Sequence, residues 1–405
     1  MEQPQISAPY DTDLLNTLVS RVFKIEDFTL GDPLRQFVAR YRGHLYNEDS
    51  AAAYDQLSEA LRPHEITPLF RVESGRQTVY LMRGVVRPKA SRLSGNIIFF
   101  LLSLFSVLYT GAVLEYLYTL PPNFSGNITE GFLARYGLLH FWTGWPFALS
   151  LMSILLAHEF GHYLAGRYHK AAVSLPYFLP LPFPASLIGT LGAFIQLKEH
   201  PRNRRVLVDI GAAGPLAGLV VAIPVLLLGL SLSRTSILDT PGGLEGNSIL
   251  YLAAKFAVFG RLLPDPVSTF GQSPLVYWVR YFFTGAPFPV GATDVFLHPV
   301  AWAGWVGLLV TFLNLIPLGT LDGGHIIYAL FGPKVKKLFG VIEVILIGLG
   351  FLWIGWWLWA ALLFMLGRAY AEPYDQITTL DTRHKIIGAI AILVFILVLT
   401  PVPFT

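Results

Sequence analysis

The chain has 405 residues, of which 54% are hydrophobic and only 14% charged, more apolar material than the core of a soluble protein of that length takes up. A net charge of +3 gives no reason to expect a nucleic-acid partner. The absence of cysteine excludes disulfides, thiol catalysis and thiolate metal ligands.

The sequence does not open with a basic region followed by an apolar stretch, so its first part is expected to stay in the compartment of synthesis. That part reads as a small α/β domain. A strand is predicted over 21–29 and a helix over 50–61, behind the cap region Asn47, Glu48 and Asp49. Further strands over 66–72 and 77–82 are joined by a turn at Ser74 and Gly75.

Apolar runs then cover residues 94–120, 145–165, 206–232 and 299–318, each long enough to cross a hydrocarbon layer of about 30 Å. Residues 338–366 make a run too long for one comfortable crossing, expected to fold as two short spans turning near 355–357, and 386–399 forms a weaker last span. The count is about seven crossings. Between them, residues 234–298 form a long insertion whose apolar stretch 248–263 carries Lys255 and Arg261, which predicts an interfacial helix.

Arg83, Arg87, Lys89 and Arg92 precede the first span, whereas the loop after it carries only Arg135. The later basic clusters agree with this asymmetry: Arg167 and Lys170 with Lys198, Arg202, Arg204 and Arg205; then Lys334, Lys336 and Lys337; then Arg383 and Lys385. The positive-inside rule puts the N-terminus in the cytoplasm and, with seven spans, the C-terminus outside. The expected fold is therefore a mainly α, polytopic transmembrane bundle over residues 93–405, placed multi-pass in the cell membrane. A small cytoplasmic α/β domain over residues 1–92, a candidate regulatory module, precedes it.

His158, Glu159 and His162 lie within the second apolar run. On a helix, positions i and i+4 share a face, so two imidazoles there can bind one metal while the glutamate between them reaches an adjacent water. A charge at mid-membrane costs roughly 2.5–3.5 kcal/mol and usually faces an interior cavity, which favours a site over an accidental match. A third ligand is needed if a catalytic metal is to keep one position open. Asp322 is the strongest candidate, because Pro317 and Gly319 interrupt the helix before it and Gly323 and Gly324 follow it. Irregular backbone at membrane depth survives only when buried in protein or lining a wet cavity. His325 is a rival ligand, read more simply as part of the following helix. Asn314 reads equally as a structural hydrogen-bonding residue or as a holder of substrate backbone, and Asp209 as salt-bridged or solvated beside Arg204 and Arg205.

With both motifs in place, the sequence resembles the site-2 proteases, a family of intramembrane zinc metalloproteases. His158, Glu159, Phe160, Gly161 and His162 match its HExxH motif. Asn314 and Pro317, followed by Leu321, Asp322 and Gly323, match its NxxP and LDG motifs. The resemblance implies one zinc ion held by His158, His162 and Asp322, Glu159 as catalytic acid and base, a six-helix-type core, and transmembrane proteins as substrates. Gly214, Pro215, Leu216, Ala217 and Gly218 look like the family's small-residue segment, which lets helices pack closely. The likeness covers residues 94–405 and lies nearest the branch with plastid and cyanobacterial members. No PDZ-like insert is visible in 234–298.

Zinc chemistry would let Glu159 take a proton from water and return it to the leaving nitrogen. His162 lies five residues before Arg167, and Asp322 twelve before Lys334, which places the site nearer the cytoplasmic face with a water route from that side. A helical substrate must unwind locally. The proline-rich stretch 173–197, with Gly189 and Gly192, offers an extended edge to which an unwound segment adds as a strand, or else is an ordinary loop. Asn314, Pro317, Gly189 and Gly192 are thus the candidate substrate-binding residues.

Weaker signals are the glycosylation sequons at Asn123 and Asn127, relevant only in a eukaryotic secretory route. Trp353, Trp356, Trp357 and Trp359 suggest an interface belt, and Glu115 and Glu343 are either functional or paired structural groups. Two other functions fit parts of the pattern. A silent membrane-protein scaffold or chaperone would not need Glu159, and a metal transporter would spread ionisable residues through several spans.

Overall fold

The computed structural model describes residues 11–31, 37–87, 93–121, 124, 126–238 and 244–404. Lys89, Arg92, Asn123 and Ser125 lie outside them. Helix α1 (Thr12–Ser20) starts where Asp11 accepts the amides of Asp13 and Leu14 at 3.0 and 3.2 Å. Strands β1 (Phe23–Leu30) and β2 (Phe37–Leu45), helix α2 (Ser50–Leu61), and strands β3 (Ile66–Glu73) and β4 (Arg76–Arg83) follow. The antiparallel sheet has the order β1-β2-β4-β3. Its core, with the two helices, includes Leu15, Val19, Phe23, Tyr41, Leu57, Phe70 and Val79. Ser74 and Gly75, with φ of 50° and 80°, make the tight turn between β3 and β4.

The rest of the chain is mainly helical. Helices α3 (Leu93–Thr119), α4 (Glu130–Leu139) and α5 (Trp145–Tyr168) come first, then the hairpin β5 (Tyr177–Pro180) and β6 (Thr190–Phe194). Helix α6 (Arg204–Leu232) leads into β7 (Arg234–Ile237), α7 (Ile249–Phe259), α8 (Pro274–Thr284) and β8 (Thr293–Phe296). The chain closes with α9 (Pro299–Asn314), α10 (Asp322–Phe331), α11 (Leu338–Leu349), α12 (Gly355–Leu366) and α13 (Thr382–Val398).

Among the described residues, α3 and α6, with 27 and 29 residues, are long and apolar enough to cross a membrane. The segments Glu130–Leu139 and Phe141–Tyr168, bent by 88°, make a third if counted as one span. Helix length does not reproduce the expected seven crossings. Helix α9 has 16 residues, and α11 and α12 have 12 each; twelve residues span about 18 Å, less than the hydrocarbon thickness of about 30 Å. The turn between α11 and α12 falls at 350–354, ahead of the predicted 355–357.

Helix α6 sits in the middle and is approached backbone to backbone. A Cβ at Gly229 would lie 2.1 Å from Ala301 N, one at Gly304 2.6 Å from Leu226 Cα, and one at Gly161 2.5 Å from Ala213 O. Small residues thus bring α5 and α9 against α6 without a layer of side chains between them. Asn203 caps α6 by accepting the amides of Arg205 and Val206 at 3.0 and 3.1 Å. Asp209, expected beside Arg204 and Arg205, pairs instead with His169 at 2.9 Å and His384 at 3.5 Å. The two arginines turn away to donate to the carbonyls of Ala329, Leu330 and Thr379.

Two further expectations are corrected by packing. Trp356 is fully buried and donates to the Pro401 carbonyl at 2.6 Å, so it belongs to the core and not to an interface belt. Glu115 Oε2 and Glu343 Oε1 are buried without a hydrogen-bond partner.

Lys255, expected to face lipid headgroups from an interfacial helix, is 0% exposed. Its Nζ lies 3.6 Å from Asp294 Oδ1 and 4.5 Å from the Tyr251 ring centre. The Tyr251 hydroxyl donates to Glu245 at 2.6 Å. Burial, and then the Asp294 carboxylate, hold the Glu245 pKa above the ordinary glutamate value. Removing the cation would leave two buried acids without compensation, so Lys255→Met is expected to cost about 3–5 kcal/mol. The measurement is thermal unfolding of the detergent-purified chain, and an unchanged midpoint would show that the ammonium does not hold this insertion together.

Candidate metal centre

Helix α5 carries His158 and His162 one turn apart on the same buried face, with Glu159 beside them. Their partner comes from the break between α9 and α10. Helix α9 ends at Asn314, the chain runs irregularly past Pro317 and Gly319, and α10 begins at Asp322. The two glycines after Asp322 are required by contact. A Cβ at Gly323 would lie 2.0 Å from Leu315 O, and one at Gly324 2.4 Å from Gly319 O, so α10 starts folded back on the break.

This brings three donor atoms together. Asp322 Oδ2 is 3.2 Å from His162 Nε2 and 3.4 Å from His158 Nε2, and the two Nε2 atoms are 3.2 Å apart. Among the described residues, these three side chains form the one group whose donor atoms all lie within 4.8 Å of one another. His162 Nδ1 is 2.7 Å from the Ile210 carbonyl; that acceptor assigns the proton to Nδ1 and leaves Nε2 bare for a metal. Helix α6 supplies the cradle. A Cβ at Gly214 would sit 2.0 Å from His162 Nε2, and one at Gly218 3.2 Å from His158 Cβ.

A cavity of ≈ 410 Å³ opens beside the cluster, lined by Glu159, residues 193–197, Asn314 and His325 among others. Glu159 receives a backbone hydrogen bond from Ile195, while its Oε2 is buried without a partner. His325 Nδ1 is likewise unpartnered, but His325 stands outside the three-donor group. Of the predicted substrate-binding residues, Asn314 lines the cavity and Pro317 lies in the break before Asp322 without reaching the wall. Gly189 and Gly192 precede residues 193–197 on the chain and do not line the cavity. Gly189 is packed on α3, its carbonyl accepting from Ser106 Oγ at 2.6 Å, and a Cβ there would lie 2.8 Å from Val107 Cα. Gly192 faces open space at φ 107°. Sequence reading missed the Ile210 carbonyl and the contact of Gly214 with His162; only the small-residue spacing of α6 hinted at the second.

Two imidazole nitrogens and a carboxylate oxygen converging at these distances form a donor set suited to zinc, and the adjoining cavity leaves room for a fourth, exchangeable ligand. The orphaned oxygen of Glu159 belongs where a water beside such an ion would be held. Fold and site together define a membrane protein with a buried His-His-Asp metal centre. The profile described as peptidase family M50 matches residues 146–354, more than half of the chain, and the chain belongs to that family, the site-2 proteases.

Among curated proteins, the chain is similar to the probable zinc metalloprotease EGY1, chloroplastic, of Arabidopsis thaliana, 30% identical over 268 residues. It is also similar to the probable zinc metalloprotease EGY2, chloroplastic, of Oryza sativa subsp. japonica, 32% identical over 260 residues. Each match covers 64% of this chain, and 43% and 42% of the respective relative. The chain thus spans less than half the length of these relatives. No solved structure matches it.

Proposed function

We propose that the chain is an intramembrane zinc metalloendopeptidase that hydrolyses peptide bonds within or beside the transmembrane segments of other membrane proteins. The observation that carries this reading is the meeting of Asp322, from a broken helix, with His158 and His162 beside a glutamate whose Oε2 has no protein partner. Family membership and relatives named as probable zinc metalloproteases support it.

His158, His162 and Asp322 would hold the ion. When bound, zinc supplies Lewis acidity, polarising a carbonyl and making water acidic near neutral pH. Glu159 is placed to take the proton of the attacking water and to return it to the leaving nitrogen. Burial of Glu159 excludes competing solvent donors. Residues 193–197 form one wall of the cavity, and β6 is paired with β5 on one edge only. An unwound substrate segment adds along that wall, with Asn314 binding its backbone.

In this reading α3, α5 and α6 cross the bilayer and the shorter helices complete about seven passes in the cell membrane. The N-terminus lies on the cytoplasmic side, nearer the metal centre, and residues 1–92 form a regulatory domain. The test is cleavage of a model transmembrane substrate by the full chain in vesicles. Product formation is expected to stop with a zinc chelator and return with added zinc; equal product with and without chelator rejects the reading.

A further inference from the structure

Residues 266–293 lie outside the candidate spans and hold a single charged side chain, Arg280. About a quarter of the residues in an ordinary soluble domain are charged, so this stretch is not composed for water alone. The acids that bound it are already paired, Asp265 with Arg261 at 3.5 Å and Asp294 with Lys255 at 3.6 Å.

Helix α8 divides its side chains between two faces. Leu275, Val279 and Phe283 recur at intervals of four and share one face, with Val276 beside them. All four are exposed, Leu275 at 74%. Tyr277 and Tyr281 point the other way, buried and stacked with ring centres 6.1 Å apart. Arg280, four residues after Val276, stands exposed at the rim of the apolar face. In the loop before the helix, Val267 and Phe270 are exposed too. An apolar face of this kind marks contact with a partner or with lipid.

The place of α8 in the fold decides between them. Strand β8, which follows it, pairs with β7, which follows α6. Arg234 of β7 donates to the carbonyls of Tyr118 and Leu120, where α3 ends. Asp265 N donates to Thr293 O at 2.8 Å, so both ends of the stretch are tied to that level. Tyr281, Phe282 and Gly285 share a small pocket with Glu245 and with Val402, just past the end of α13. The stretch therefore hangs from the point where α3, α6 and α13 end. The N-terminal sheet joins the opposite end of α6, through Tyr374, which bonds to both Pro201 and Phe70.

We propose that α8 lies along the bilayer surface where α3, α6 and α13 end. Its face of Leu275, Val276, Val279 and Phe283 is sunk among the acyl chains, and Arg280 meets the headgroup phosphates. The interfacial role expected of 248–263 falls to α8, since Lys255 turns inward. The proposal rests on α3 and α6 crossing the bilayer and is independent of the chemistry at the metal centre.

The chain has no cysteine, so single thiols can be introduced into it whole. Leu275→Cys, Val279→Cys, Val220→Cys and Lys24→Cys are labelled with a nitrobenzoxadiazole fluorophore and reconstituted in dioleoylphosphatidylcholine vesicles. A nitroxide lipid in the vesicles carries its quencher either near the headgroup or near the end of the acyl chain. Val220, exposed near the middle of α6, is the mid-bilayer reference, and Lys24, exposed on β1, the aqueous one. Labels at 275 and 279 are expected to be quenched at least about twofold more than at Lys24, and more by the shallow nitroxide than by the deep one. At Val220 the deep nitroxide is expected to quench more. Quenching at 275 and 279 no greater than at Lys24 would overturn the proposal. So would stronger quenching there by the deep nitroxide, which would make α8 part of a span. A blue-shifted label that neither nitroxide reaches would overturn it in favour of a protein partner, a second copy of the chain included. A Val220 label beyond both nitroxides would remove the crossing of α6 itself, which separates failure of that reading from failure of this one.

Discussion

Glu159→Gln is expected to lower the turnover of a transmembrane substrate by a factor of about 10²–10⁴ while leaving the metal and the fold in place. Glutamine keeps the size of the side chain and can still accept the Ile195 amide, but it cannot take a proton from water or return one to a leaving nitrogen. The side chains proposed to hold the metal are His158, His162 and Asp322, so the substitution leaves every donor untouched. Retained zinc with lost turnover assigns Glu159 to proton transfer. Retained turnover would make the site a binding surface that keeps the protease fold without its chemistry.

Gly214→Ala is expected to be nearly as damaging, although Gly214 binds nothing. Its Cβ would stand 2.0 Å from His162 Nε2, the atom that meets His158 and Asp322. The ring cannot simply swing aside, because its Nδ1 is tied to the Ile210 carbonyl at 2.7 Å and Ile210 lies on the same helix as Gly214. Either that bond breaks or α6 moves away from α5. Both outcomes spoil the ligand geometry, and zinc affinity is expected to fall by about a hundredfold or more, judged from losses when ligand-orienting partners are removed. Competition with a fluorescent chelator measures it. An affinity equal to wild type would show that α6 yields at this point without cost.

The comparison between sequence and structure is uneven for physical reasons. The pair of histidines was legible because helical spacing alone puts positions i and i+4 on one face. Asp322 was legible because an acid on a proline- and glycine-broken helix has few other uses in a membrane. In the N-terminal domain, the helix Ser50–Leu61 and the β3–β4 hairpin matched their cap and turn signals. Strand β2 escaped notice because Ala39, Tyr41 and Gly43 face inward and Arg40 and Arg42 less so, a pattern in which two of three inward residues carry little apolar bulk.

Lys255 and Trp356 were misread for one reason. Position along the chain suggested an interface, whereas Asp294 and the Pro401 carbonyl, distant in sequence, supply their partners inside. Where α9, α11 and α12 end was not legible, because composition reports how apolar a stretch is and not where the helix stops. Gly189 and Gly192 show the same limit at the site. Gly192 lies on β6 and Gly189 in the bend before it at φ 78°, while the neighbouring 193–197 line the cavity.

The most direct test of the account is the zinc content of the purified full chain and its variants, read by elemental mass spectrometry. One zinc per chain is expected for wild type and for Glu159→Gln, falling below about a tenth of that in His158→Ala, His162→Ala and Asp322→Ala. A full complement of zinc in Asp322→Ala would contradict the account, because the ion would then be held without the carboxylate that the broken helix brings to the two histidines.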